Sequence, residues 1–277
     1  MREIDLWHTG VPRAVCAFAG DDWIVDPGPE ATIGKLLEGL GEDFTPARII
    51  LTHIHFDHAG ATGALVERFP DTEVWVHEVG AKHLVDPTRL VASARQIYGD
   101  EFDTLWGKVV PVPEDRLRVL QGGETIDGWR VEYTPGHARH HVAYLHEADG
   151  TAFCGDVAGV RILDGPVLPP TPPPDIDLEA WRASIELVED WHPAALAITH
   201  FGVFSDCADH LQMLRNNLDR FGELARRVGP DEYAAEIDRF VEEHTGGPVA
   251  RGGYAGSNPS GTLHAGLARY WSKRDGG

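Results

Sequence analysis

Residues 53–58 read HIHFDH, so three imidazoles and one carboxylate fall within six positions directly after the apolar run RIILT. No other feature narrows so far what this chain can fold into. In an extended segment, side chains 53, 55 and 57 project the same way because strand side chains alternate with period two. His58 then turns towards a second point, where AGATGALVERF begins to coil. Open α/β sheets collect ligand sites at their strand ends, so the segment reads as a strand followed by half of a site. Two neighbouring metal ions suit the arrangement better than one. Imidazole together with carboxylate suits zinc, iron or manganese, whereas calcium and magnesium take more oxygen.

Three further strand ends deliver matching groups. VEYTPGH ends on His137 after a Pro-Gly turn, TAFCGD on Asp156 after a glycine, and ALAITH on His200. A single histidine would mean little in a chain that has 15, but the repeated pattern of apolar run, small residue and ligand-type side chain does. Between these points the periodicity predicts an α/β layer. AVCAFAGDDWIVDPGP gives two strands around Gly20-Asp21-Asp22, EATIGKLLEGLG a helix stopped at Gly41, and ARIILT a buried strand. AGATGALVERFP gives a helix and TEVWVH a strand. From about Arg116, the runs RLRVL, WRVEYT, HVAYLHE and TAFCGD predict an antiparallel meander in a second sheet. LEAWRASIELVEDW reads as a helix and AALAITH as the last buried strand. DCADHLQMLRNNLDRFGELARRV, DEYAAEIDRFVEEH and TLHAGLARYWSKR read as helices, and the glycine-rich TGGPVARGGYAGSNPSG as a loop. The proline-dense segment 164–177 is either a stiff connector or a rigid wall of a pocket. Residues between His77 and Arg116 go unassigned.

On these residues the chain resembles the metallo-β-lactamase superfamily. The resemblance rests on THIHFDH, TPGH, CGD and ITH, spread over residues 52–200. It implies the α/β (α+β) class and an αββα sandwich, in which two mixed β-sheets lie face to face, flanked by helices, with the site along one edge. Residues 1–205 would form that domain and 206–277 a C-terminal helical extension packed on it. The resemblance also implies His53, His55 and His137 on one metal, Asp57, His58 and His200 on a second, and Asp156 bridging both. Two divalent ions are expected, zinc first, with iron or manganese as alternatives.

Two cations about 3.5–4 Å apart lower the pKa of a bridging water and stabilise the oxyanion that forms when it attacks. Asp57 is the candidate to take or return a proton. The expected reaction is therefore hydrolysis of an ester, lactone or thioester through a metal-bridging hydroxide. A rival is a mononuclear iron oxidoreductase resembling the persulfide dioxygenases. Departures from the family narrow the substrate. Cysteine does not replace Asp156, glutamate does not replace His55, and Gly159 stands where homoserine-lactone lactonases carry tyrosine. Glyoxalase II-like thioesterases stay in play through TPGHARHHVAYL. Four other residues are candidates to face substrate: Phe56 as a pocket wall, Arg139 and His140 as groups steering an anion, and Arg161 as a bidentate clamp. For each, ordinary core or loop placement is the alternative. His141 and Cys154 read as structural.

Composition supports this picture. With 42% hydrophobic residues, 277 residues suffice for one well-filled domain. Cys16, Cys154 and Cys207 are too scattered for a disulfide framework, and no run approaches the roughly 18 apolar residues of a membrane span. The N-terminus has no signal-like apolar stretch, so a cytoplasmic protein is expected. With 24 Lys+Arg against 44 Asp+Glu, the formal charge of −20 repels nucleic acid and anionic membranes. The expected partner is a small-molecule substrate, and a homodimer is the expected assembly on symmetry grounds.

Overall fold

The structure is a computed structural model that describes residues 1–275. Its strands are β1 (Arg2–Asp5), β2 (Cys16–Ala19), β3 (Trp23–Val25), β4 (Arg48–Ile50), β5 (Glu73–His77), β6 (Leu117–Leu120), β7 (Thr125–Ile126), β8 (Trp129–Tyr133), β9 (Val142–His146), β10 (Thr151–Phe153), β11 (Ala195–Ile198) and β12 (Gly202–Phe204). The helices are α1 (Ile33–Leu40), α2 (Phe56–Ala59), α3 (Thr62–Arg68), α4 (Glu78–Val85), α5 (Thr88–Tyr98), α6 (Phe102–Trp106), α7 (Leu178–Asp190), α8 (Cys207–Leu224), α9 (Pro230–His244), α10 (Gly247–Ser257) and α11 (Ser260–Asp275).

The strands form two six-stranded sheets, ordered β1-β2-β3-β4-β5-β6 and β12-β11-β10-β9-β8-β7. Both are mixed. β3 to β6 run parallel, with a helical crossover between each and the next as parallel neighbours require, whereas β7 to β10 form an antiparallel meander. The inner faces meet through large aromatic residues. Trp23 of the first sheet and Trp129 of the second lie edge to face at 5.1 Å, with Phe153 against both. Each fully buried side chain of this kind contributes roughly 1.5–3 kcal/mol relative to exposure. On its other face, the first sheet packs Ile24, Ile49, Leu51 and Val74 against Leu36 of α1 and Leu65 of α3. The inter-sheet core runs on without a break into Trp181 of α7, Leu214 and Phe221 of α8, Tyr233 of α9 and Leu267 of α11.

Two sequence expectations are corrected here. RLRVL, expected to open the second sheet, is β6 and pairs parallel with β5 in the first. Helices α4 to α6 occupy the stretch that went unassigned and carry the chain across as a parallel crossover does. The glycine-rich segment expected to be a loop is α10. Its glycines admit a neighbour rather than break the helix: a Cβ on Gly253 would lie 2.9 Å from Ile162 and 3.0 Å from the Arg13 carbonyl. Among the described residues, no helix is long and apolar enough to cross a membrane.

Candidate metal centre

The ends of β4 and β11, the turns after β8 and β10, and the start of α2 converge on one edge of the sandwich. Buried β4 ends at Ile50, the chain bends at Thr52, and His55 is extended before Phe56 opens α2. This change of conformation places His58 in a second group, with its ring still 3.9 Å from that of His53. His137 follows Gly136, whose φ of +134° only glycine adopts freely and where a Cβ would strike the Trp181 backbone at 2.4 Å. Asp156 stands on the short turn after β10, and His200 directly follows β11.

The seven side chains form two groups: His53, His55, His137 and Asp156 in one, and Asp57, His58 and His200 in the other. Within each group, one ligand atom per residue lies within 4.8 Å of all the others. Asp156 reaches both. Its Oδ2 is 3.3 Å from His137 Nε2, while its Oδ1 is 3.2 Å from His58 Nε2 and 3.5 Å from His200 Nε2. Asp57 Oδ2 is 3.3 Å from His200 Nε2.

Four of the five histidines have Nδ1 committed elsewhere, which aims Nε2 into the centre. His58 Nδ1–H donates to Asp26 at 2.8 Å, His137 Nδ1–H to the Pro170 carbonyl at 2.9 Å, and His200 Nδ1–H to the Ala14 carbonyl at 2.7 Å. The Thr52 hydroxyl donates to Asp26, so it accepts from His53 Nδ1–H at 3.1 Å. His55 is the exception. Its Nδ1 lies 3.0 Å from both His53 Nε2 and His137 Nε2, so three ring nitrogens converge where at most one proton can bridge a pair.

This donor set fits a divalent metal ion in each group. His58 Nε2, Asp156 Oδ1 and His200 Nε2 are buried without a hydrogen-bond partner, an arrangement native interiors avoid. The protonation pattern agrees. Burial and the crowding of neighbouring imidazoles push His53 well below its ordinary value and His55 down to about 3, leaving bare lone pairs. Burial opposes charge on His58 and His200 too, but the carboxylates of Asp156 and Asp57 outweigh it and raise both. In turn, His58 overcomes burial to hold Asp57 and Asp156 below the usual carboxylate range. Positive charge is thus drawn to the point where a cation would sit.

The remaining candidates separate. Phe56 is buried edge to face against Phe102 at 5.4 Å and near Trp106 at 6.0 Å, so it is a core residue of the α5–α6 insert rather than a free pocket wall. The Arg161 clamp is not formed. Its guanidinium is held by Asp206 at 2.8 and 2.9 Å and covered by Phe204 at 4.5 Å, so its charge is answered within the chain. Arg139 is exposed, and its carbonyl accepts from Tyr133. His140 lies beside His53 and His55, but Ile54 N–H donates to its Nδ1 at 3.4 Å. A cationic ring has no lone pair to accept, so steering an anion by charge is excluded in this geometry. His141 is structural, buried between the Thr134 hydroxyl and the Val157 amide, and burial raises the Cys154 thiol as expected of a core cysteine. The proline-dense segment does more than connect, because its Pro170 carbonyl orients His137.

Sequence reading missed Asp26. It is fully buried in a left-handed conformation (φ 47°) and accepts from Thr52 N–H, from the Thr52 and Thr199 hydroxyls, and from His58. Its signal was present in WIVDPG, another apolar strand that ends on an aspartate.

A profile of the metallo-beta-lactamase superfamily matches residues 19–200. ST1585 of Sulfurisphaera tokodaii, a metallo-beta-lactamase fold-containing protein, is 32% identical over 175 residues; the match spans 60% of this chain and 65%, just under two thirds, of that protein. The solved structure of ST1585 superposes with a TM-score of 0.69 over 96% of this chain and 97% of that one, at 23% identity. A hydroxyacylglutathione hydrolase of Xanthomonas campestris pv. campestris is 27% identical over 242 residues, 84% of this chain and 81% of its own. A crystal structure of TTHA1623 in a di-iron-bound form is 25% identical with a TM-score of 0.53, over 72% of this chain and 91% of that one. With two-thirds of the chain under the family profile and the same two-sheet architecture, this chain belongs to the metallo-beta-lactamase superfamily.

Proposed function

We propose that the chain is a dinuclear metallohydrolase that cleaves an acyl bond, with a thioester first, then an ester or lactone. The observation that carries this reading is the position of Asp156, whose two carboxylate oxygens face two different ligand groups. His53, His55 and His137 would hold one ion and Asp57, His58 and His200 the other, with Asp156 shared. Zinc comes first for this donor set, with iron or manganese next. Once bound, such ions supply water activation and polarisation of the acyl carbonyl. The chain's own residues do the rest. Asp57 has a side chain 22% exposed against 5% for Asp156, so it is the carboxylate that a proton can reach. Held in its ionised form by His58 and His200, it can accept that proton and return it to the leaving group. The hydroxyacylglutathione hydrolase relatives support placing the thioester first.

Elemental analysis of protein purified without added metal, followed by assays on thioester, ester and lactone panels, tests the reading. Two ions per chain and turnover of one panel are expected. A single iron per chain, with oxygen uptake on a persulfide, would replace this function with the mononuclear oxidoreductase.

A further inference from the structure

We propose that His140 donates a hydrogen bond from Nε2–H to the acyl oxygen of the substrate, as a neutral imidazole whose tautomer is set by the backbone of the metal motif. This inference rests on the hydrolase reading above and names a residue that recognises its substrate.

The tautomer follows from one contact. Ile54, between His53 and His55, points its amide N–H at His140 Nδ1, 3.4 Å away. An amide nitrogen can only donate, so Nδ1 must be the accepting, unprotonated atom, and the single ring proton is on Nε2. Among the described residues that Nε2–H has no partner, and it is not one of the enclosed orphans of the centre. It is a donor left open.

Its place in the site gives that donor a use. Of the seven ligand-type residues, five are buried and only His55 and Asp57 keep partial exposure, so the centre opens on their side. His140, also only partly buried, lies beside His55 on that side. Its ring is perpendicular to His55 at 5.4 Å and parallel to His53 at 5.9 Å. Gly80 of α4 backs it: a Cβ there would lie 2.9 Å from Ile54 Cγ2 and 3.5 Å from the His140 Cβ, so the helix approaches the loop too closely for a side chain at that position. The ring is therefore backed by α4, with its Nε2 left unpaired.

The chemistry needs such a group. Hydrolysis of an acyl bond builds negative charge on the carbonyl oxygen, and a fixed N–H there binds the transition state more tightly than the substrate. All five ligand imidazoles direct lone pairs, not protons, towards the metals they would hold. His140 is the imidazole beside them whose proton is left unpaired. The matching ligand is a neutral acyl carbonyl, which accepts but carries no charge to be steered.

The test uses zinc-loaded protein, with the acetyl thioester of N-acetylcysteamine and 4-nitrophenyl acetate as probes. His140→Phe keeps the ring and loses the donor, while His140→Gln restores an N–H near Nε2. The expected result is a fall in kcat of about 100-fold for the Phe variant, with KM and zinc content little changed, and partial recovery for Gln. An active wild type whose Phe variant keeps its kcat, or loses only KM, overturns the proposal while leaving the hydrolase reading intact. A second measurement needs no turnover. Long-range proton–nitrogen NMR should find the His140 proton on Nε2, and acetate, a mimic of the acyl product, should shift that resonance. An Nδ1–H tautomer, or no shift on acetate addition, overturns the proposal even if no probe is hydrolysed. Absence of turnover with the NMR result intact counts against the hydrolase reading alone.

Discussion

Asp26 Oδ2 accepts the Nδ1 proton of His58 at 2.8 Å, and the same oxygen accepts the hydroxyls of Thr52 at 2.7 Å and Thr199 at 2.8 Å. Thr52 immediately precedes His53, and Thr199 immediately precedes His200. One buried carboxylate at the end of β3 thus orients His58 and ties down the segments that carry His53 and His200. Outer partners of this kind fix the tautomer of a ligating histidine and raise its basicity.

Asp26→Asn tests that arrangement. The amide has only one accepting oxygen, so either the three-donor hub or the Thr52 amide is left facing an NH₂ group. An unmet buried donor costs about 1–3 kcal/mol, and loss of an outer-shell carboxylate weakens metal affinity about 10–100-fold. Competition with a chromophoric chelator should show the loss at the second group first. An unchanged zinc affinity would reduce Asp26 to a folding residue.

That these seven side chains come together was legible in the sequence because each follows closely on an apolar run, a pattern that survives without any knowledge of tertiary contacts. Asp26 has the same signature but makes its contacts across three segments, and nothing local separates a ligand from the group that orients one. Arg161, a clamp candidate beside the proline-dense segment with ordinary placement as the alternative, takes the alternative, because only the fold brings Asp206, 45 residues later, onto it. The α10 helix was hidden because glycines that break an isolated helix are, here, what lets it lie against Ile162 and the Arg13 carbonyl.

The two groups differ in what a metal must displace. Burial and neighbouring imidazoles keep His53, His55 and His137 below their ordinary values, so the first group is deprotonated at neutral pH. Against burial, Asp156 and Asp57 raise His58 and His200, so the second group holds protons that a cation must expel. Below the raised values, affinity at the second group should climb about tenfold per pH unit for each proton released, while the first group stays flatter. Zinc affinities measured at several pH values around neutrality should separate into two slopes. A common slope would contradict the protonation pattern.

Removing Asp156 should cost more than removing any one histidine, because it is the residue shared between groups. Asp156→Ala is expected to lose at least one ion per chain by elemental analysis. His200→Ala should empty the second group and leave the first loaded. Retention of both ions and full activity by either variant would end the dinuclear reading. The buried position of Asp156 makes circular dichroism the companion measurement, so that lost metal is not confused with lost fold.

Arg161 supplies the sharpest contrast between the sequence expectation and the structure. A clamp for an anionic substrate predicts that Arg161→Ala raises KM selectively for charged substrates. The structure predicts otherwise, because the guanidinium already binds Asp206, lies on Phe204, and belongs to a residue whose backbone N–H donates to the His200 carbonyl at 2.7 Å. Truncation strips a charged hydrogen-bond pair in which Arg161 is buried but Asp206 is exposed, a loss of about 1 kcal/mol, which thermal unfolding should report as a lowered Tm. The KM values for an anionic and a neutral thioester should change by the same factor. A selective rise for the anion, with Tm unchanged, would return Arg161 to the substrate pocket.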